Sequence, residues 1–357
     1  MRYAKYIGFG AVALTVLAFF VAQVFKAEIG ERVFARAVDR TLSRDVIGDL
    51  PDGLHVVLVG TGSPMVDPTR MGPSTAVIAG NRLFIIDTGS GSPRNLGEMG
   101  LPAGTVERVF LTHFHSDHIN SLGELMLQRW AGGSNSEPLP IHGPVGVGQI
   151  VDGFNLAYGL DREYRIAHHG PKVVPPSGFG GLAMPFEGDQ PEVIIQDGDL
   201  TITAFPVNHT PVNPAVGYRF DYKGRSVTLT GDTAVTDNLT RAAFQTDLLV
   251  SEALNTEMVG VLEQAFAARG VTNLKQIMLD IPDYHMTPVQ AAEIAAQAEA
   301  EMLVYSHLVP GVPLPYLDAY FTRGTRKAFS GPIIVGQDGM MFSLLPETNK
   351  ITRSRLK

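Results

Sequence analysis

The longest apolar stretch of the chain lies at its start. Residues Ile7 to Phe25 carry no charge, and Gln23 is their single strongly polar side chain. At about 1.5 Å per residue these nineteen positions nearly span a hydrocarbon core of roughly 30 Å. A buried core helix would keep a polar face, and this run has none. It reads as an uncleaved membrane anchor over residues 1–26. A cleaved signal peptide is the alternative, with Arg2 and Lys5 as its basic start, but Val21-Ala22-Gln23-Val24-Phe25-Lys26 lacks a small-x-small cleavage site. Residues 27–52 mix polar and apolar positions and predict a helical stalk, closed by the turn Pro51-Asp52-Gly53.

From residue 53 the pattern changes to short apolar runs separated by turn residues. Strands are predicted at 54–59, 75–79, 83–87, 106–112, 200–207, 216–222, 226–230, 248–251 and 302–306, with two more near the end. Helical spacing is predicted at 122–130, 257–268, 288–299 and near 317–329. Antiparallel-looking runs that enclose helices argue for an α/β fold of packed sheets with helices outside, four layers in the order αββα. One large domain is expected over 53–346, followed by a basic, frayed tail at 347–357.

Composition narrows the chemistry. The 357 residues include no cysteine, which removes disulfides, thiolate metal sites and thiol nucleophiles. Any metal must be held by nitrogen and oxygen. Lys+Arg 28 against Asp+Glu 36 gives a formal charge of −8, a poor balance for gripping a phosphate polymer.

The strongest chemical signal is Thr112-His113-Phe114-His115-Ser116-Asp117-His118, which sets four metal-capable side chains within six positions after an apolar strand. Three neighbouring imidazoles are costly to bury without partners, and a metal offsets that cost. Imidazole with carboxylate suits zinc first, with iron or manganese as alternatives. Ser121-Leu122-Gly123-Glu124 predicts a capped helix start beside the cluster. Further His and Asp residues stand at predicted strand ends: His209, Asp232 in Thr230-Gly231-Asp232-Thr233, and His307. Thr287-Pro288-Val289-Gln290 predicts a second capping box, which sets His285 just before a helix.

Through HxHxDH at His113 to His118, His209, Gly231-Asp232 and His307, the chain resembles the metallo-β-lactamase superfamily. Gly60-Thr61-Gly62-Ser63-Pro64, Ile86-Asp87-Thr88-Gly89, Gly217-Tyr218-Arg219 and His285-Met286-Thr287-Pro288 make it similar to the ribonuclease Z and arylsulfatase branch. The resemblance implies a four-layer αββα metallo-β-lactamase sandwich and a centre of two divalent metal ions that share a hydroxide. It implies that His113, His115 and His209 hold one ion, that Asp117, His118 and His307 hold the other, and that Asp232 bridges them. Asp117 would also orient the nucleophile, and His285 would stabilise developing charge or protonate the leaving group. Asp87 is expected to order the site without binding metal.

Ribonuclease Z proteins that process transfer RNA carry a long arm between the positions matching His209 and Asp232. Here these residues stand 23 positions apart, enough for one hairpin turned by Lys223-Gly224. With the acidic balance, this favours hydrolysis of a small sulfate ester or phosphodiester over nucleic acid. Ribonuclease Z-type endonuclease and lactonase activities are the alternatives, and a membrane-tethered metal-binding scaffold is the non-enzyme reading. A β-lactamase proper is disfavoured because Asp232 stands where those enzymes commonly use cysteine. The insertion Ala167 to Pro191 is expected to form a loop over the site or a surface excursion. The anchor implies a periplasmic catalytic domain on the inner membrane, with a secreted form as the alternative, and the resemblance allows a homodimer.

Overall fold

A computed structural model describes residues 19, 20 and 22–356. Most of the run Ile7 to Phe25, read above as a membrane anchor, lies outside the described residues. Among the described residues no helix is long and apolar enough to cross a membrane. The chain divides into two compact units at Asp49 and Leu50. The described part of the first is dominated by helix α1 (Lys26–Leu42), in which no residue is buried.

In the second unit, apolar runs with buried residues on both faces build two sheets. One has eight strands: β1 (Leu54–Gly60), β2 (Ser74–Ala79), β3 (Arg82–Ile86), β4 (Val106–Phe110), β5 (Leu139–Pro144) and β6 (Gly181–Phe186), with β14 (Met340–Leu344) and β15 (Ile351–Arg355) beyond β1. The other has seven, in the order β13-β12-β11-β10-β9-β8-β7: β7 (Glu192–Asp197), β8 (Leu200–Pro206), β9 (Val216–Tyr222), β10 (Arg225–Leu229), β11 (Leu248–Leu254), β12 (Met302–Val309) and β13 (Ile333–Val335). Side chains alternate across each strand, so Leu54, Val56 and Leu58 of β1 enter the core between the sheets. There they join Phe110, Tyr218 and Phe220, whose rings meet edge to face at 5.4–5.8 Å.

Helices cover the outer faces. α2 (Ser92–Glu98), α3 (Ser116–Ile119), α4 (Leu122–Gly133), α5 (Val147–Ala157) and α6 (Gly159–His169) belong to the first half. α7 (Asp237–Ala242), α8 (Thr256–Ala268), α9 (Thr272–Asp280), α10 (Pro288–Gln297), α11 (Pro315–Phe321) and α12 (Thr325–Ala328) belong to the second. The alanines Ala291, Ala292 and Ala295 let α10 lie close against Leu249, Leu303 and Tyr305 of the seven-stranded sheet. The expected αββα order is therefore observed.

Three local expectations are corrected. Within the tail expected to fray at 347–357, Ile351–Arg355 instead pairs antiparallel with β14, and Ile351 packs on the core. The segment 167–191 is no loop over the site; it closes α6, forms edge strand β6 and leads into β7. Ser121 makes no side-chain cap for α4, because its Oγ accepts from Gly91 N at 3.1 Å. The Thr287–Gln290 capping box is present, and Lys223 and Gly224 both adopt positive φ in the β9–β10 turn.

Candidate metal centre

β3 and β4 are parallel in one sheet, and pairing makes β8, β10, β11 and β12 mutually parallel in the other. Their carboxyl ends meet at one edge of the sandwich. His113 lies three residues beyond β4, and His115 is extended (φ −60°, ψ 146°); the rings of the two meet, Nε2 to Nδ1, at 3.0 Å. The chain then turns into α3, which carries Asp117 and His118. Asp232 follows β10 through Gly231, whose positive φ and approach to the Val216 carbonyl leave no room for a Cβ. His307 lies within β12 at φ 45°, a left-handed conformation that swings its ring out of the strand's alternation.

Two clusters result, His113, His115, His209 and Asp232 in one, and Asp117, His118 and His307 in the other. In the first, His115 Nδ1 lies 3.0 Å from His113 Nε2 and 3.2 Å from His209 Nε2. In the second, Asp117 Oδ2 lies 3.6 Å from His118 Nε2 and 3.3 Å from His307 Nε2. Asp232 Oδ2 joins them, at 3.3 Å from both His118 Nε2 and His307 Nε2 and 3.9 Å from His113 Nε2.

The nitrogens turned away from the centre are partly engaged, which sets each ring's orientation. His118 Nδ1 donates to Asp87 Oδ2 at 2.8 Å, and His209 Nδ1 donates to the Tyr284 carbonyl at 3.0 Å. Thr112 Oγ1 lies 3.1 Å from His113 Nδ1 and itself donates to Asp87. Asp87 therefore touches no ligand-facing atom of the centre; it orders Thr112 and His118.

Burial holds His113 well below the ordinary histidine range and pushes His209 down to about 4, so both rings are neutral. Burial also opposes a proton on His118, but the Asp232 and Asp87 carboxylates outweigh it and raise its pKa. Burial would raise Asp232, yet His307 and His118 hold it well below the carboxylate range. His118 Nε2, Asp232 Oδ1 and His307 Nδ1 are buried with no hydrogen-bond partner. Tetrahedral metal–nitrogen bonds of about 2.0–2.1 Å set neighbouring ligand atoms roughly 3.3 Å apart, close to the spacings within each cluster. An all-nitrogen and oxygen donor set of this kind fits two divalent ions.

Beside the clusters, His285 Nδ1 donates to Glu252 Oε2 at 3.2 Å, and Met286 N donates to Glu252 Oε1 at 2.8 Å. Burial opposes a charge on His285, but Glu252 carries its pKa up to about 9. Sequence reading missed Glu252, although an acid within the apolar strand Leu248–Leu254 was a usable signal. It also missed Asp338, which accepts from Thr61 N, Thr61 Oγ1 and Met71 N and so staples the loop after β1.

A family model described as the metallo-beta-lactamase superfamily matches residues 67–307. The chain is 36% identical over 290 residues to a protein named ribonuclease Z from Mycobacterium bovis (strain BCG / Pasteur 1173P2), covering 80% of this chain and 96% of that one. The metallo-beta-lactamase fold protein YhfI from Bacillus subtilis matches with TM-score 0.60 and 21% identity, over 82% of this chain and 100% of its own. The short form of human tRNase Z matches with TM-score 0.57 and 22% identity, over 82% and 99%.

Proposed function

The chain belongs to the metallo-beta-lactamase superfamily as a metal-dependent hydrolase, and from that premise we propose that it hydrolyses phosphodiesters in the manner of a ribonuclease Z. The observation that carries the reading is the Glu252-held His285 beside two His/Asp clusters that share Asp232. An alkoxide leaves phosphorus poorly without a proton, and a positioned histidine supplies one. The expectation of a small sulfate ester or phosphodiester narrows to the phosphodiester, since relatives at 36% identity are named ribonuclease Z, the alternative drawn from the sequence. The short His209–Asp232 interval also weighs less, because the chain covers 96% of such a relative.

His113, His115 and His209 would hold one ion, Asp117, His118 and His307 the other, with Asp232 within reach of both clusters, and zinc suits this donor set best. Bound there, two ions would supply Lewis-acid charge and lower the pKa of a water. Asp117, which lines the cavity, takes the proton of the attacking water. His285 gives its proton to the departing oxygen, and Glu252 keeps its Nδ1 engaged so that Nε2 serves the substrate.

Metal analysis joined to turnover of bis(4-nitrophenyl) phosphate, 4-nitrophenyl sulfate and a lactone tests the reading. Two zinc ions per chain and hydrolysis of the phosphodiester at least a hundredfold above the others are expected. Asp232→Ala should lose metal and activity together; full metal content in that variant overturns the bridging role. Preference for the sulfate overturns the phosphodiester reading.

A further inference from the structure

His115, Asp117, Asp232 and His307 of the clusters, with His285, form the floor of a cavity of about 880 Å³, within the range that holds a small organic ligand. Its apolar lining comes from the loop carrying Met65 and Val66 and from the α8–α9 hairpin with Leu262, Phe266, Leu274 and Ile277. A small core of Leu254, Val259, Met278, Ile281 and Val309 holds this hairpin and takes Met65, Leu262 and Phe266 as partly buried neighbours, whereas Leu274 and Ile277 stand outside it. Val66 is fully exposed and Ile277 is 47% exposed, an uncovered apolar surface beside a polar centre.

No lysine or arginine lines this cavity among the described residues. Arg70, on the same loop, is buried, donates to Thr61 Oγ1 at 2.6 Å and pairs with Asp67 at 3.7 Å. A polynucleotide tracks rows of cationic side chains, and this approach has none. The reacting phosphorus must lie on the floor, so a group attached to it lies against the apolar lining.

We infer that the substrate is a phosphodiester bearing an apolar alkyl or aryl group, which the Met65–Val66 loop and the α8–α9 hairpin bind and select. This rests on the reading of the floor as the hydrolytic centre. The test is calorimetric binding of methyl-, butyl- and octylphosphonate to the zinc-loaded full chain. Burial of each methylene tightens binding about two- to fourfold, so octylphosphonate should bind at least tenfold more tightly than butylphosphonate. Leu274→Gln and Ile277→Gln, at partly exposed positions, should each cut that ratio below about threefold with thermal unfolding little changed. Equal affinities overturn the inference, as does a chain-length gain that both variants retain. Tighter binding of a 3′-extended transfer RNA than of octylphosphonate overturns it too. Hydrolysis of bis(4-nitrophenyl) phosphate with equal phosphonate affinities leaves the phosphodiesterase standing without its apolar wall. Chain-length selection with no phosphodiester hydrolysed does the reverse.

Discussion

Asp87 and Glu252 act on the centre through the histidines they hold, and the two make different predictions. Asp87 fixes His118 through a 2.8 Å hydrogen bond, and partners of this kind are worth about 10–100-fold in metal affinity. Asp87→Ala should weaken zinc binding by that factor, as measured against a chelator of known affinity. Glu252 instead holds His285, whose proton matters only when the leaving group needs one. His285→Ala should keep both metals yet lose about 10²–10⁴-fold in kcat on an alkyl phosphodiester. On a 4-nitrophenyl ester, which leaves without help, the loss should be under tenfold. Equal losses on both esters would make His285 a binding residue. His285 was legible in the sequence through the capping box that follows it, whereas its partner stands 33 positions earlier, on strand β11.

At the scale of elements, the centre depends on strands arriving parallel at one edge. The 3.6 and 2.0 periodicities marked most of them to within a few residues. β5, β6, β7 and β15 escaped: β6, β7 and β15 are edge strands, partly solvated, whose polar positions blur the alternation, and the interior β5, Leu139-Pro140-Ile141-His142-Gly143-Pro144, is masked by two prolines and a glycine. β15 reads Ile351-Thr352-Arg353-Ser354-Arg355, so polar that it passes for a tail, yet it caps the open edge of β14 beside the core residue Phe342. Ending the chain after Asn349 should cost about 2 kcal/mol, a fall in thermal midpoint of a few degrees, with more aggregation from the uncovered edge. An unchanged midpoint would return these residues to the status of a tail.

For the whole molecule, one buried histidine away from the centre links stability to pH. His142 of β5 stacks on Phe110 at 5.0 Å, and its Nε2 accepts from Arg108 Nη1 at 3.3 Å. Burial, then the Arg108 charge, lowers its pKa from 6.5 to about 4, so on acidification the unfolded chain takes up this proton first. This contribution is full above about pH 6.5 and falls as pH drops toward 4, by on the order of 1–2 kcal/mol at pH 5. His142→Gln should remove that component from the denaturation midpoint measured across pH 5–7; an identical pH profile would assign it elsewhere. The sequence by itself determined the donor set, because a chain without cysteine that clusters His113, His115, Asp117 and His118 restricts a metal to nitrogen and oxygen. It determined the layered α/β fold as well, because hydrophobic period is a local property. Only the tertiary structure decided that Asp232 lies between the clusters, that Glu252 stands behind His285, and that apolar walls without a cation flank the approach. Those are juxtapositions across strands and helices far apart in the chain, and only the packing of two sheets and a helical hairpin brings them together.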